Sequence, residues 1–280
     1  MSPPLLEMRG IALDYGRGLR RTPFRALDGV DLEVGQREAV GLVGESGSGK
    51  TSLGRIALGL QAPTAGSVHF DGEDITRADR GRRRALARDL QAVFQDPYSS
   101  LNPTRRVGAS VAEPLLASGG ALRAAEVGAR VAEMLRLVGL DADAAARYPR
   151  HFSGGQRQRI AIARALIVSP RLVVCDEPVS ALDLSVQAQV LNLLAELQET
   201  LGLSYLFIAH DLSVVRFLCQ RVVVLRAGRV VESGPVEDVY RAPRHDYTRE
   251  LLAAIPRPDP DHYTTAGRGG PVTIAKGGTQ

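Results

Sequence analysis

The residues best suited to chemistry form one glycine-rich stretch near the N-terminus. It lies between the apolar run 38–43 and a predicted helix that includes Ser52, and it reads Gly44-Glu45-Ser46-Gly47-Ser48-Gly49-Lys50-Thr51. Glycine lets backbone N–H groups approach phosphate oxygens, and a helix N-terminus favours bound anions. Lys50 would reach the β- and γ-phosphates of a nucleotide, and Thr51 would offer its hydroxyl to Mg²⁺. The stretch therefore predicts a phosphate-binding loop.

A second stretch with anion-binding character begins at Ser153, 109 residues after Gly44, and precedes a predicted helix. It reads Ser153-Gly154-Gly155-Gln156. Serine and paired glycines before a helix can form a nest of N–H groups. Because Lys50 already reaches the γ-phosphate of its own nucleotide, a second nest suggests the nucleotide of a neighbouring copy. Alternatively, Ser153 only caps the helix. These residues alone leave both interpretations open.

Two adjacent acids follow the apolar run 172–175. This pattern predicts a buried strand that ends in a polar site. Asp176 suits the Mg²⁺ shell, and Glu177 could orient and deprotonate the attacking water. His210 ends another predicted strand, 204–210, and we expect it at the same edge of a parallel sheet. Gln95 also ends a predicted strand, and its amide suits a sensor of the γ-phosphate and of metal-bound water.

Composition and charge limit the class of protein. The chain has 280 residues, 44% of them hydrophobic, and no apolar run approaches the ~18 residues that span a bilayer. Cys175 and Cys219 lie in apolar contexts and are expected to be reduced core residues. The net charge is +4, and the tightest basic cluster lies within 80–88. The only aromatic residue near that cluster is Phe94, in a predicted strand, so we expect a solvated helix face and no nucleic-acid partner.

The pattern of residues predicts an α/β fold in several segments. Residues 1–95 and 158–235 are strand-rich and are expected to form a nucleotide-binding core. Residues 96–157 begin with turns and continue as helix, with one apolar face that comprises Val127, Val131, Met134, Leu135 and Val138. This segment is predicted to be an inserted helical subdomain. Residues 236–263 form an extension, and the glycine-rich residues 264–280 are expected to be disordered.

Taken together, these motifs resemble the ATP-binding cassette family. The segment 152–156 matches the family's signature except at Phe152, where leucine is usual. The resemblance runs from about residue 5 to about residue 260 and is closest to ATPase subunits of bacterial dipeptide, oligopeptide and nickel importers. The finer match rests on segments 93–103, 178–183 and 245–256, where Asp246 replaces the usual proline. No cysteine cluster lies near the C-terminus, so we expect no iron–sulfur centre.

The resemblance implies a P-loop NTPase (RecA-like) core with an N-terminal antiparallel β subdomain and an inserted helical subdomain. Two copies would close around ATP, with Ser153 to Gln156 serving the partner's nucleotide and Asp183 on a loop that crosses the interface. Residues expected in catalysis are Lys50, Gln95, Glu177 and His210, and those expected at Mg²⁺ are Thr51, Gln95 and Asp176. An aromatic residue would stack on adenine; Tyr15 is the expected residue, and Phe24 is the alternative.

The expected function is ATP hydrolysis that powers a membrane importer, most readily for peptides. Alternatives are import of nickel or another small solute, or a non-transport protein that acts on nucleic acid or ribosomes. The expected partners are a second ATPase subunit, two transmembrane permease subunits and, indirectly, an extracytoplasmic binding protein. The chain would then lie at the cytoplasmic face of a bacterial plasma membrane. In the resembled family a groove beside Gln95 receives a permease helix, and we expect Tyr98 and Leu101 to line it.

Overall fold

A computed structural model describes residues 3–16, 24–96, 100–118 and 122–254. The strands in these ranges are β1 Leu6–Tyr15, β2 Phe24–Val34, β3 Ala39–Val43, β4 Ala65–Phe70, β5 Glu73–Asp74, β6 Leu90–Val93, β7 Leu172–Asp176, β8 Ser204–Ala209, β9 Arg221–Arg226 and β10 Arg229–Pro235. The helices are α1 Lys50–Ala57, α2 Arg80–Leu86, α3 Val107–Ala117, α4 Ala124–Leu137, α5 Gly154–Leu166, α6 Leu184–Leu201, α7 Leu212–Leu218, α8 Val236–Arg241 and α9 Asp246–Ala253, with 3₁₀ turns at Ala142–Ala146 and Pro149–His151.

The strands form two sheets with different topologies. The first sheet is antiparallel, in the order β2-β1-β4-β5. The second has the order β10-β9-β3-β8-β7-β6, in which only β10 is antiparallel to its neighbour. Because the other five strands are parallel, their carboxyl ends meet at one edge. The predicted α/β fold, with an antiparallel β sheet near the N-terminus, is confirmed.

The parallel sheet is buried on both faces, which explains its continuous apolar runs. Successive residues of β8 point to opposite faces. Tyr205 and Phe207 join the core formed with the helices of residues 107–201, whereas Leu206 and Ile208 join the core shared with α1 and the antiparallel sheet. Two packed layers therefore hold the strand ends in fixed positions.

Helices α3, α4 and α5 and the two 3₁₀ turns make the described part of residues 107–166 a helical segment, and α4 contains the predicted apolar face. Val131, Met134, Leu135 and Val138 are buried, and Gly139 ends the helix with φ +75°. The predicted subdomain boundary at residue 157 falls inside α5, which is one uninterrupted helix from Gly154 to Leu166. Secondary structure alone does not divide the chain into domains, so the predicted bounds of the core, the helical subdomain and the extension stay predictions.

The cysteines, the basic cluster and the lengths of the described helices agree with what the sequence predicts. Cys175 and Cys219 are buried free thiols, and burial raises the pKa of both. The basic cluster lies on and just after α2, whose arginines are exposed. Within the described ranges, no helix combines the length and apolarity needed to cross a membrane.

Candidate nucleotide site

The glycine-rich stretch is a loop between β3 and α1, and glycine is required at both of its ends. Gly44 has φ +154°, and an added Cβ would lie 2.1 Å from the carbonyl oxygen of Leu225. Gly49 has φ +106°, and its added Cβ would lie 2.8 Å from the carbonyl oxygen of Ala26. Gly49 is also the N-cap of α1, and no side chain caps that helix. The N–H groups of its first turn are therefore free of a side-chain cap and can serve an anion.

Lys50 is buried at the start of α1, with its ammonium group held by the loop itself. Its Nζ donates to the carbonyl oxygens of Gly44 at 2.7 Å and Glu45 at 2.9 Å. Burial lowers the pKa of Lys50, and the nearby carboxylates of Glu177, Asp176 and Glu45 oppose that shift. Inside the same loop, the buried Oγ of Ser48 has no hydrogen-bond partner among the described residues. A buried ammonium group and an unpaired hydroxyl in one loop fit an oxygen-rich ligand such as a phosphate chain.

The two residues predicted to hold Mg²⁺ lie together. The Oγ1 of Thr51, in the first turn of α1, donates to Oδ1 of Asp176 at 3.4 Å. Burial and the charge of Glu177 raise the pKa of Asp176. No group of three or more His, Cys, Asp or Glu side chains in the described ranges could hold a metal alone. The pair suits a Mg²⁺ ion whose other ligands are substrate phosphates and water.

Glu177 has a backbone conformation that the sequence does not reveal. Its φ is +48°, in the left-handed region that residues other than glycine rarely adopt. The turn is held because Glu177 N donates to the carbonyl oxygen of Ile208 at 3.0 Å, and Ser180 Oγ donates to the Glu177 carbonyl at 3.1 Å. Glu177 Oε2 lies 3.7 Å from His210 Nδ1, directly after β8. The structure therefore brings the proposed base and His210 together at the edge of the sheet.

Gln95 and the two aromatic candidates lie at the surface. Gln95 is exposed two residues after β6, which pairs with the strand that carries Asp176. Tyr15 and Phe24 are cross-strand partners at the same end of β1 and β2, and both are exposed. The Tyr15 hydroxyl lies 3.2 Å from Ser52 Oγ, next to the phosphate loop. Neither the sensor role of Gln95 nor adenine stacking is tested by these positions, so both stay predictions.

The second glycine-containing stretch forms the N-terminus of α5 and is a capping box. Gln156 N donates to Ser153 Oγ at 3.4 Å, and Ser153 N donates to Gln156 Oε1 at 3.1 Å. The cap interpretation left open by the sequence is therefore real, and it does not exclude a ligand in trans. Gly155 has a further constraint, because an added Cβ would lie 2.3 Å from Cγ1 of Val186. The start of α5 thus packs closely against the start of α6.

Asp183 caps α6 beside this contact. Its Oδ1 accepts from Val186 N at 3.0 Å and from Ser185 Oγ at 2.9 Å, and these bonds lower the pKa of Asp183. The next residue, Leu184, is 81% exposed. The cap is a structural finding that the sequence does not predict, whereas the interface role that the resemblance implies for Asp183 stays a prediction.

A groove of about 470 Å³ lies between the end of α1 and the helical segment. Its apolar lining includes Leu58, Leu60, Phe94 and Pro114. Leu101 was predicted to line a groove beside Gln95, and this is wrong: its side chain is only 2% exposed and packs in the core with the helices. Tyr98 lies outside the described residues.

Comparison with known families gives two matches along the chain. The ABC transporter family matches residues 27–180. The C-terminal region of oligopeptide/dipeptide transporters matches residues 231–278. The second match begins in β10 and includes α8 and α9.

Similar proteins cover most of the chain. A Brucella ovis protein named as a candidate peptide import ATP-binding protein is 49% identical over 93% of this chain and 81% of its own length. The oligopeptide transport ATP-binding protein OppD of Mycobacterium bovis is 53% identical over 89% of this chain, which spans 40% of that protein's length.

Two solved structures are similar in fold. A dimeric ATP-binding cassette, MJ0796, bound to ADP and Pi has a TM-score of 0.74 and 31% identity, and the match covers 82% of this chain and 98% of that one. The cbiO1 protein from Clostridium perfringens has a TM-score of 0.76 and 27% identity, and the match covers 91% of this chain and 96% of cbiO1. The glycine-rich loop, the strand-end acids and these matches have one explanation: the chain belongs to the ABC transporter family.

Proposed function

We propose that this chain is the ATP-hydrolysing subunit of a membrane importer for di- or oligopeptides. The observation that carries the peptide assignment is the matched C-terminal region at 231–278, because it distinguishes oligopeptide/dipeptide transporters within the larger family. The relatives named above for peptide import and oligopeptide transport support the same substrate class. ATP hydrolysis would supply the free energy for import.

The site supports MgATP as the substrate. Lys50 would bind the β- and γ-phosphates, and the N–H groups of residues 44–52 would surround them. Thr51 and Asp176 would hold Mg²⁺, which neutralises charge on the phosphates when bound. Gln95 would complete the shell and respond to the γ-phosphate.

Glu177 is the proposed general base. A carboxylate beside the γ-phosphate can orient a water molecule and accept its proton as the P–O bond to the β-phosphate breaks. His210, 3.7 Å away, would contact the γ-phosphate and limit the directions that Glu177 can take. The left-handed backbone at Glu177 supports this role, since strained residues concentrate at functional sites.

A second ATPase subunit, either another copy or a paralogue, would complete the site. Ser153 to Gln156 would contact the nucleotide bound at the partner's phosphate loop, and Asp183 would lie at the interface. The dimeric cassette with ADP and Pi is a precedent for two-copy assembly. A mixing experiment tests this arrangement. Ser153→Arg should bind ATP but fail to hydrolyse it. If the chain pairs with itself, mixing this variant with Lys50→Ala should restore one intact site. Full activity of Ser153→Arg alone would rule out action in trans.

The importer would contain two transmembrane permease subunits, and the groove lined by Leu58, Leu60 and Phe94 is the proposed contact with a helix of one of them. The chain would then lie at the cytoplasmic face of a bacterial plasma membrane, and an extracytoplasmic binding protein would act on it through the permeases. The test is to co-express the chain with the permeases encoded beside it. ATP hydrolysis should rise when a peptide-loaded binding protein is added. No association and no stimulation would leave only the ATPase proposal.

A further inference from the structure

The start of α9 contacts the phosphate loop directly, through a buried tyrosine in the C-terminal extension. Tyr247 is 1% exposed, and its hydroxyl oxygen accepts a hydrogen bond from the backbone N–H of Glu45 at 2.8 Å. The two residues are 202 positions apart in the chain. Neither the strand-end acids nor the glycine-rich loop predicts this contact.

The surrounding residues fix Tyr247 in place. Its own backbone N–H donates to His245 Nδ1 at 3.1 Å, which caps α9. The carboxylate of Glu232, on β10, accepts from the N–H groups of Arg244 at 2.8 Å and His245 at 3.0 Å. The guanidinium of Arg226, at the end of β9, lies 4.7 Å from the centre of the tyrosine ring. The ring of Tyr247 and the start of α9 that carries it are therefore held by residues of β9 and β10.

The contact matters because of the peptide group that it holds. The Gly44–Glu45 peptide donates its N–H to Tyr247, and its carbonyl oxygen accepts from Lys50 Nζ at 2.7 Å. No peptide bond in the described ranges is cis, and in a trans peptide the N–H and the carbonyl point in opposite directions. One planar unit thus has Tyr247 on one side and the ammonium of Lys50 on the other. Fixing its N–H also fixes the direction of the oxygen that holds Lys50.

We propose that Tyr247 is a positioning residue for nucleotide binding, which acts by holding the Gly44–Glu45 peptide in the orientation that places Lys50. The proposal rests on the nucleotide-binding role proposed above. It assigns the C-terminal extension a part in the phosphate site, in addition to any role in assembly. Glu45 is exposed, so without the hydroxyl its N–H can turn toward water, and the peptide plane can rotate with it.

The test compares Tyr247→Phe with Tyr205→Phe. The first variant removes the hydroxyl but keeps the ring beneath Arg226. The second is a matched control, because Tyr205 is also 1% exposed and its hydroxyl donates to the Leu194 carbonyl oxygen at 3.1 Å. Tyr205 pairs with Ala39, at the end of β3 away from the loop.

Dissociation constants for MgATP and MgADP are measured on folded protein, together with thermal stability. Tyr247→Phe should raise the dissociation constants of both MgATP and MgADP by roughly 3- to 10-fold, the range for one lost hydrogen bond. Tyr205→Phe should lower stability with unchanged affinity. A purely structural role for Tyr247 would make the two variants behave alike, and that result would overturn the proposal.

Amide hydrogen exchange of the unmodified chain is a second test that needs no variant. The Glu45 amide should exchange slowly, although the residue is exposed, because Tyr247 holds its N–H. Fast exchange at Glu45 would also overturn the proposal. If the unmodified chain binds no MgATP at all, the proposed function itself fails, and this outcome is distinct from equal affinities in wild type and Tyr247→Phe.

Discussion

Replacing Glu177 by glutamine tests the assignment of the general base. The amide has almost the same shape as the carboxylate, so the packing of the Glu177 side chain, which is only 20% exposed, should be preserved. The backbone bonds that hold the turn, from Glu177 N to Ile208 and from Ser180 Oγ to Glu177, do not involve the side chain. The variant therefore removes proton acceptance and leaves the geometry in place.

The expected loss of hydrolysis is roughly 10²–10⁴-fold, the range for a lost general base. It corresponds to about 2.7–5.4 kcal/mol of activation free energy. ATP affinity should be retained or improved, because a negative charge near the phosphates and Lys50 is removed. Steady-state phosphate release and MgATP binding measure the two quantities separately. The variant should also accumulate as an ATP-bound dimer on size exclusion, since opening requires hydrolysis.

A suitable control is Glu196→Gln, which changes an exposed glutamate on α6. It should hydrolyse ATP at the unmodified rate. Turnover of Glu177→Gln within about threefold of wild type would refute the general-base assignment, because loss of a general base should lower the rate by at least about 10²-fold.

Three further results are expected. Gly155→Ala should lower the free energy of unfolding by about 1–3 kcal/mol in urea titrations, because its Cβ would overlap Val186, and an unchanged midpoint would contradict that packing. Burial raises the pKa of Glu232, but hydrogen bonds that include those from the N–H groups of Arg244 and His245, together with the charge of Arg244, outweigh burial and hold the pKa below the ordinary 4.5. The ionised Glu232 carboxylate therefore stabilises the fold above pH 4.5, and this stabilisation is lost as pH falls through the lowered pKa. Glu232→Gln should lower the free energy of unfolding by about 1–2 kcal/mol at neutral pH, and the difference from wild type should disappear in acid. Leu60→Asp, in the groove, should reduce co-purification with permeases, whereas undiminished co-purification would place the contact elsewhere.

The fold and the strand-end groups could be predicted because their signals are local. The glycine-rich loop, the apolar run before Asp176 and the apolar face of α4 each depend on neighbours within a few positions. Parallel pairing then brings the ends of β3, β7 and β8 to one edge without further information.

Features that depend on distant contacts could not be predicted in this way. The left-handed φ of Glu177 depends on the Ile208 carbonyl, and the hydroxyl of Tyr247 reaches a loop 202 positions earlier. Leu101 was wrongly assigned to a groove because an apolar residue in a turn-rich segment can face either a surface or the core. Only its packing against the helices decides between these two positions.

Substrate uptake tests the central claim most directly. Vesicles that contain the chain, its permeases and the binding protein would be given a labelled oligopeptide or labelled Ni²⁺, with Lys50→Ala as the inactive control. We predict accumulation of the peptide that requires ATP and is absent with Lys50→Ala. ATP-dependent uptake of Ni²⁺ without peptide uptake, or no ATP-dependent uptake of either, would contradict the assignment of this chain to peptide import.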